Sequence, residues 1–298
     1  MSLLTMTTKL DYKVIDIHVH IMPWHMLNPA AAAAMKATQP DHAFLHELNT
    51  NPDKLVAYMD ARNIEWLGLI NYLSPKVMGY TEATNDFSAS FAAHYPHRFI
   101  PFGGVDPRLT PDMAGHMDHL LGELRIKAIK IHPPHQLFNV NDYLFDPELE
   151  ALTVVFEKCI EYDVPLMIHT GTSMFQGARN RFADPMPVDD IAVDFPNLKI
   201  ILAHAGRPLY TDAAFFLLRR HPNVFCDISS IPPRSLLKYF PWLERVADKT
   251  MFGSDWPAPG VKDIGENIQQ FLSLDFSNEV KRKIMRDNAI RIFNLAKQ

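Results

Sequence analysis

The chain has 298 residues, of which 47% are hydrophobic and 21% are charged, and its formal net charge at pH 7 is -5. This length and composition are enough to bury a large core, and they fit either one α/β barrel or two smaller domains. The negative charge gives no general attraction to nucleic acid or to anionic membranes, and the sequence contains no basic segment that would supply a local one.

The same features predict the partners and the location of the protein. We expect a small-molecule substrate and neither a nucleic-acid nor a membrane partner, while a homo-oligomer is left open. Cys159 and Cys226 are the only cysteines, which excludes a disulfide framework and indicates buried thiols in a reducing compartment. Residues 1–13 lack the pattern of a signal peptide, and no apolar run reaches the roughly 20 residues that span a bilayer. We therefore expect a cytoplasmic protein.

Eight short segments rich in apolar and β-branched residues predict strands. Most of them are continuous apolar runs, which is typical of parallel strands buried on both faces. In chain order they are KVIDIHVH, WLGLINYL, RFIPFGGVD, IKAIKIHPP, PLMIHTG, LKIILAHAG, NVFCDISS and TMFGSDWP.

Helical patterns alternate with these strands. NPAAAAAMKAT, after the first strand, predicts a helix over one end of the fold, and TPDMAGHMDHLLGEL and TDAAFFLLRRH predict two more. Asp146 and Pro147 predict the N-cap and first turn of a helix in DPELEALTVVFEKCIEYD, and SNEVKRKIMRDNAIRIFNLAKQ predicts a closing helix. Eight strand–helix units without an internal linker predict one (β/α)8 TIM-barrel domain, of the α/β class, over residues 1–298.

Polar side chains cluster where the predicted strands end, which is the face that carries the active site in a barrel of this kind. His18 and His20 end the first strand, His169 the fifth, His204 the sixth and Asp255 the eighth. Since side chains alternate along a strand, His18 and His20 share one face and can point at a single ion. A lone histidine at a strand end is more often a hydrogen-bonded rim residue, but four strands that end in such groups favour a metal site.

Four segments, in the order DIHVHIMP, MIHTG, ILAHAGRP and MFGSDWP, resemble the amidohydrolase superfamily, and specifically its amidohydrolase 2 branch. This branch includes aminocarboxymuconate semialdehyde decarboxylase and related aromatic acid decarboxylases, hydratases and lactonases. The resemblance covers nearly the whole chain and implies a TIM barrel of the metallo-dependent hydrolase type. It also implies one divalent ion with a bound water, held by His18, His20, His169 and Asp255, with His204 as a catalytic group beside the water.

The donor atoms agree with this implication. Three neutral nitrogens and one carboxylate suit zinc, and manganese is the alternative. Asp255 would bind the metal and also take a proton from the water, while His204 would orient the water or polarise a substrate carbonyl.

Lys130, at the end of the fourth strand, allows more than one interpretation. Its ammonium attracts an anionic substrate or pairs with a neighbouring acid, or the lysine is carboxylated and bridges two metals, as in binuclear members of the superfamily. Lys130 is therefore a candidate substrate-binding residue, together with His132, Arg207 and Trp24. An arginine would bind a carboxylate, and an indole ring would stack on an unsaturated or aromatic ring.

These residues predict an enzyme, with two reactions in competition. The first is hydrolysis of an ester, lactone or amide bond in a small carboxylate-bearing substrate by a metal-activated water. The alternative is non-oxidative decarboxylation of an unsaturated or aromatic acid, which the same residues would serve. We rank hydrolysis first and decarboxylation second, followed by a binuclear hydrolase with carboxylated Lys130 and by a barrel that binds a ligand without turnover.

Overall fold

The eight predicted strands are present and form one parallel sheet, in which spatial order follows chain order. The structure is a computed structural model that describes residues 10–38, 41–258 and 260–295. The strands are β1 Val14–Val19, β2 Ile64–Leu69, β3 Phe99–Gly104, β4 Ala128–Ile131, β5 Leu166–His169, β6 Ile200–Ala203, β7 Val224–Asp227 and β8 Thr250–Met251.

Helices lie between consecutive strands and after the last one. The α-helices in the described ranges are α1 Pro29–Thr38, α2 His42–Thr50, α3 Pro52–Asp60, α4 Ala83–Ala93, α5 Met113–Asp118, α6 Pro133–Gln136, α7 Leu152–Glu161, α8 Val188–Asp194, α9 Thr211–Arg220, α10 Leu236–Tyr239, α11 Ile264–Leu272, α12 Asn278–Arg282 and α13 Asn288–Ile292. Within the part of the chain that the structure describes, no helix is both long and apolar enough to cross a membrane.

The alternation of strands with helices confirms the predicted (β/α)8 barrel, while some helix boundaries differ. Asp146 caps a short 3-10 helix by accepting a hydrogen bond from the Glu148 amide at 3.0 Å, and α7 begins only at Leu152. The predicted closing helix is interrupted by a π-helical turn, Lys283–Asp287. Residues 296–298 of that helix and residues 1–9 of the signal-peptide prediction lie outside the described residues. The extent of one domain over residues 1–298 stays a prediction.

The two edges of the sheet meet where β1 pairs with the segment after β8. The Asp255 amide donates a hydrogen bond to the His18 carbonyl at 2.8 Å, and the His20 amide donates to the Trp256 carbonyl at 2.7 Å. β1 itself is less regular than the predicted alternation, because its register against β2 shifts within the strand. Main-chain hydrogen bonds therefore fix Asp255 beside the two histidines of β1.

Side-chain alternation gives the other strands an inner and an outer face. Ala128 of β4 and Met167 of β5 belong to a buried cluster inside the barrel, whereas their neighbours in sequence pack against the helices. Lys130 shares the inner face of β4 with Ala128, and His169 shares that of β5 with Met167. Both polar side chains are thus directed into the barrel by strand geometry.

We expect Gly68→Ala to lower the free energy of unfolding by about 3 kcal/mol, because β1 and β2 would have to move apart. A Cβ atom at Gly68 would overlap the main chain of Ile17 in β1. Chemical denaturation measures the change. Gly122→Ala is the control, since its Cβ would meet only the end of the Tyr162 side chain, 3.3 Å away, in a helical turn that favours alanine. Equal losses in the two variants would contradict the prediction.

Candidate metal centre and substrate cavity

The predicted site residues line one cavity, at the end of the barrel where the strands terminate. They are His18, His20, Trp24, Lys130, His132, His169, His204, Arg207 and Asp255. The cavity has a volume of about 120 Å³. An apolar cavity of roughly 150 Å³ holds one benzene ring. The cavity therefore has room for at most about one ring.

Two residues of this site have left-handed backbone conformations. The φ angle is 64° at His204 and 67° at Asp255, which costs a residue other than glycine about 1–2 kcal/mol. Fixed hydrogen bonds hold both residues: the Asp255 amide donates to the His18 carbonyl, and the His204 amide donates to Asp227 Oδ1 at 2.9 Å. Strain that is held in this way is typical of functional sites.

His18 has the hydrogen bonding of a metal ligand. Its Nδ1 donates to Asp227 Oδ2 at 2.7 Å, so the lone pair is on Nε2. This Nε2 is buried, lies 3.5 Å from Asp255 Oδ1 and has no hydrogen-bond partner among the described residues. A buried lone pair without a partner is costly, and a bound cation would stabilise it.

His20 and Asp255 approach the same point. His20 Nε2 lies 2.9 Å from Asp255 Oδ1. Burial by itself would raise the pKa of Asp255, but the hydrogen bond with His20 and the nearby positive charges outweigh burial and hold the pKa well below its usual range. Asp255 is therefore ionised at neutral pH.

His169 and His204 face each other, with His169 Nδ1 and His204 Nε2 3.1 Å apart. Their other nitrogens donate outward, His169 Nε2 to the Gly171 carbonyl at 3.1 Å and His204 Nδ1 to Ser229 Oγ at 2.8 Å. Burial lowers the pKa of both rings well below the ordinary value, so both rings are neutral. The hydrogen bonds therefore assign lone pairs to the two facing nitrogens, which a nearby cation would stabilise.

These donors fit a divalent cation. The ligand atoms offered by His18, His204 and Asp255 lie within 4.8 Å of one another, and His20 and His169 lie beside them. Neutral imidazoles and a carboxylate are accepted by zinc and by manganese. Because His204 belongs to this cluster, the division into ligands and a catalytic group stays a prediction.

Lys130 is fully buried on the inner face of β4. Its Nζ has no hydrogen-bond partner among the described residues. Burial lowers the pKa of Lys130 to about 8, although the carboxylates of Asp227 and Asp255 oppose this shift. The side chain is therefore mostly protonated at neutral pH, and its ammonium is available to an anion in the cavity.

A column of three stacked imidazoles forms one wall of the cavity. His132 lies between His135 and His169, with ring centroids 3.6 Å and 3.7 Å away. Burial lowers the pKa of His132 well below its ordinary value. The apolar part of the wall includes Met22, Trp24, Met35, Met78, Tyr80 and Phe175. Met35 comes from α1, which therefore covers this end of the barrel as predicted.

Two further cavity residues, Tyr72 and Ser173, were missed by the sequence analysis. The predicted second strand included Tyr72, but β2 ends at Leu69, so Tyr72 lies in the following loop. Ser173 lies in the loop that follows β5. Their positions in the sequence could have identified them, because residues shortly after the end of a barrel strand lie at the functional face.

The amidohydrolase family model matches residues 15–295 of the chain. The chain belongs to the amidohydrolase family. It is a metal-dependent enzyme, and the predicted membership of the amidohydrolase 2 branch is confirmed. No curated protein matches this amidohydrolase.

Solved structures share the fold of this amidohydrolase at low sequence identity. An uncharacterized TIM-barrel protein from Bordetella bronchiseptica has a TM-score of 0.72 and 19% identity, over 95% of this chain and 99% of its own. A 5-carboxyvanillate decarboxylase from Novosphingobium aromaticivorans, solved with manganese and 4-hydroxy-3-methoxy-5-nitrobenzoic acid, has a TM-score of 0.64 and 19% identity, over 96% and 97%. A dihydroxybenzoic acid decarboxylase from Polaromonas, solved with manganese and 2-nitroresorcinol, has a TM-score of 0.64 and 18% identity, over 96% and 98%.

We expect Asp227→Asn to weaken manganese or zinc binding about 10- to 100-fold, because the carboxylate that orients His18 is lost. Titration of metal-depleted protein in competition with a chelator measures the affinity. Asp194→Asn is the matched control. Asp194 is exposed, and its only hydrogen bond among the described residues is the one that it accepts from the Tyr143 hydroxyl at 2.6 Å. Unchanged affinity in Asp227→Asn would show that Asp227 does not act on the metal site.

Proposed function

We propose that this amidohydrolase is a metal-dependent, non-oxidative decarboxylase of single-ring aromatic acids. The observation that carries the proposal is the ammonium of Lys130, which is buried, has no partner among the described residues and lines the same cavity as the candidate metal ligands. A buried charge without a partner is costly, so an anionic ligand would stabilise this lysine. The aromatic and methionine wall supplies contact for a ring.

The names of the structural neighbours support decarboxylation over hydrolysis, which the sequence analysis ranked first. Two of the neighbours described above are decarboxylases that were solved with manganese and an aromatic ligand. Another neighbour, a 2,6-dihydroxybenzoate decarboxylase, was solved with 2,6-dihydroxybenzoate and shares 17% identity with this chain. A small aromatic acid also agrees with the predicted small-molecule substrate, and we retain the cytoplasmic location as part of the proposal.

The proposed metal ligands are His18, His20, His169 and Asp255, which would hold one divalent cation. The unpartnered Nε2 of His18 and the lone pair on His169 Nδ1 support this assignment. When bound, the cation would polarise the oxygens of the substrate and offset the negative charge that develops on them. Zinc is the metal predicted from the sequence, while the manganese in the neighbours supports the alternative.

The residues around this ion have separate proposed roles. Lys130 binds the substrate carboxylate as a free ammonium rather than as a carboxylated bridge between two metals, and Arg207 adds a second positive charge to the cavity. His204 is neutral, is oriented by Ser229 and accepts a hydrogen bond from the substrate through Nε2. The ionised Asp255 takes up a proton from solvent and delivers it to the ring carbon that bears the carboxylate. The bond between that carbon and the carboxylate then breaks, its electron pair returns to the ring, and carbon dioxide leaves.

Carbon dioxide release from 2,6-dihydroxybenzoate and from 5-carboxyvanillate tests the reaction directly. We expect release by the metal-loaded enzyme and none after chelation. Lys130→Met should raise KM about 30-fold or more, because a buried charge pair with the substrate is lost. Lys127→Met, an exposed lysine just before β4, is the matched control and should behave as the wild type. Hydrolysis of lactones or esters by an enzyme that decarboxylates no aromatic acid would refute the proposal.

The roles of the two facing histidines can be separated by metal analysis. We expect His169→Ala to lose the bound ion, and His204→Asn to keep about one ion per chain while kcat falls 100-fold or more. Plasma mass spectrometry gives the metal content, and the carbon dioxide assay gives kcat. Loss of the ion in His204→Asn would make His204 a ligand instead.

A further inference from the structure

A hydrogen-bonded chain of three residues lines the cavity and takes no part in the reaction proposed above. Tyr72 follows β2, His135 follows β4 and Ser173 follows β5. The Tyr72 hydroxyl lies 3.3 Å from His135 Nδ1, and Ser173 Oγ lies 2.7 Å from His135 Nε2. One imidazole therefore links two hydroxyl groups that come from different loops.

These three residues have one more donor proton than their two hydrogen bonds use. Burial lowers the pKa of His135 to about 3, so the ring is neutral and has a single N–H. Together with the two hydroxyl protons, that N–H makes three donors for the two contacts. One hydroxyl proton is left over, at the Ser173 end or at the Tyr72 end, depending on the tautomer of His135.

The surroundings of the two hydroxyls decide between these ends. Ser173 Oγ also accepts a hydrogen bond from the Phe175 amide at 3.2 Å. If Tyr72 donates to Nδ1 and Nε2 donates to Ser173, both acceptor positions of Ser173 are taken, and its own proton is free on a partly exposed side chain. The opposite tautomer would leave the free proton on Tyr72, which is only 3% exposed. A buried donor without an acceptor is costly, so the first arrangement is favoured.

The hydrogen-bonded residues Tyr72, His135 and Ser173 lie beside the candidate metal centre and are separate from it. His135 stacks on His132, which in turn stacks on His169, and the ring centroids of His135 and His169 are 6.4 Å apart. Lys130 and Ser173 both line this cavity, which has room for about one ring, so we expect a ring held at Lys130 by its carboxylate to present another of its edges to Ser173.

We propose that Ser173 donates a hydrogen bond to an oxygen substituent on the ring of the substrate, and that Tyr72 and His135 position this donor. Both acids in the carbon dioxide assay carry a further oxygen substituent on the ring, and Ser173 is the residue that this proposal assigns to contact it. This inference rests on the proposed function for the ring acid, but it concerns binding, which is measured without turnover. Ser173 thereby determines specificity, and Tyr72 and His135 act through it.

Binding of hydroxybenzoates tests the proposal. The three positional isomers are each compared with the toluic acid in which a methyl group replaces the hydroxyl, on the manganese-loaded full-length chain. Quenching of tryptophan fluorescence in a stopped-flow instrument gives Kd before turnover, since Trp24 lines the cavity. We expect at least one hydroxybenzoate to bind about tenfold more tightly than its toluic acid, as one added hydrogen bond would give.

Three variants separate a donor from its positioning residue. Ser173→Ala should reduce this tenfold preference to about one, and Tyr72→Phe should reduce it to about threefold. The double variant should lose no more than Ser173→Ala alone, because Tyr72 acts only through Ser173. Ser90→Ala and Tyr95→Phe are matched controls that should keep the full preference, since their hydroxyls donate to the Phe87 carbonyl and to Asp53 outside the cavity.

The state of His135 gives a second readout that needs no ligand. In protein labelled with 15N-histidine, the His135 signal, assigned by its loss in His135→Gln, should show a neutral ring protonated on Nε2. A ring protonated on Nδ1 would overturn the proposal, and so would additive losses in the double variant, equal Kd values for every pair of acids, or no binding of any isomer. Failure of the proposed function is a different result, namely binding with the expected preference but no release of carbon dioxide.

Discussion

The buried carboxylate of Asp227 connects His18 with the backbone at His204 and Ser229, and the rest of the site depends on this connection. Its Oδ2 accepts from His18 Nδ1, and its Oδ1 accepts from the amides of His204 and Ser229. Burial alone would raise the pKa of Asp227, but its interaction and hydrogen bond with His18 and the charge of Lys130 outweigh burial, so the pKa is lowered and the group stays ionised. One charge at the end of β7 thus orients an imidazole of β1 and holds the strained backbone after β6.

Charge balance links this carboxylate to the choice of substrate. Asp227 and Asp255 supply two negative charges, Lys130 and Arg207 supply two positive charges, and the imidazoles with lowered pKa values are neutral. A divalent cation therefore gives the cavity an excess of positive charge, which an anionic substrate would offset. Selectivity for acids then depends on the bound ion together with Lys130 and Arg207.

Most of the fold follows from a local pattern, while its boundaries do not. All eight strands were predicted because strands buried on both faces have continuous apolar runs. The same property obscured the end of β2, since a buried and mostly apolar segment, interrupted only by Asn71, continues from Leu69 to Leu73 although the strand has ended. The π-helical turn Lys283–Asp287 has no sequence period of its own, and β8 has only two residues, although the segment after it is hydrogen-bonded to β1.

The site divides in the same way into a part that sequence patterns reveal and a part that they do not. His18, His20 and Asp255 are placed by main-chain pairing at the barrel seam, and His169 by the inner face of β5, so their position follows from strand geometry once the strands are known. Tyr72 and Ser173 meet His135 only because three separate loops converge, and no spacing within the sequence encodes that contact. Loops can change without disturbing strand pairing, so a barrel of this kind can keep its metal chemistry while the residues that contact the ring vary. This is the physical reason why the sequence predicts a metal-dependent enzyme, whereas the proposed substrate depends on the structure.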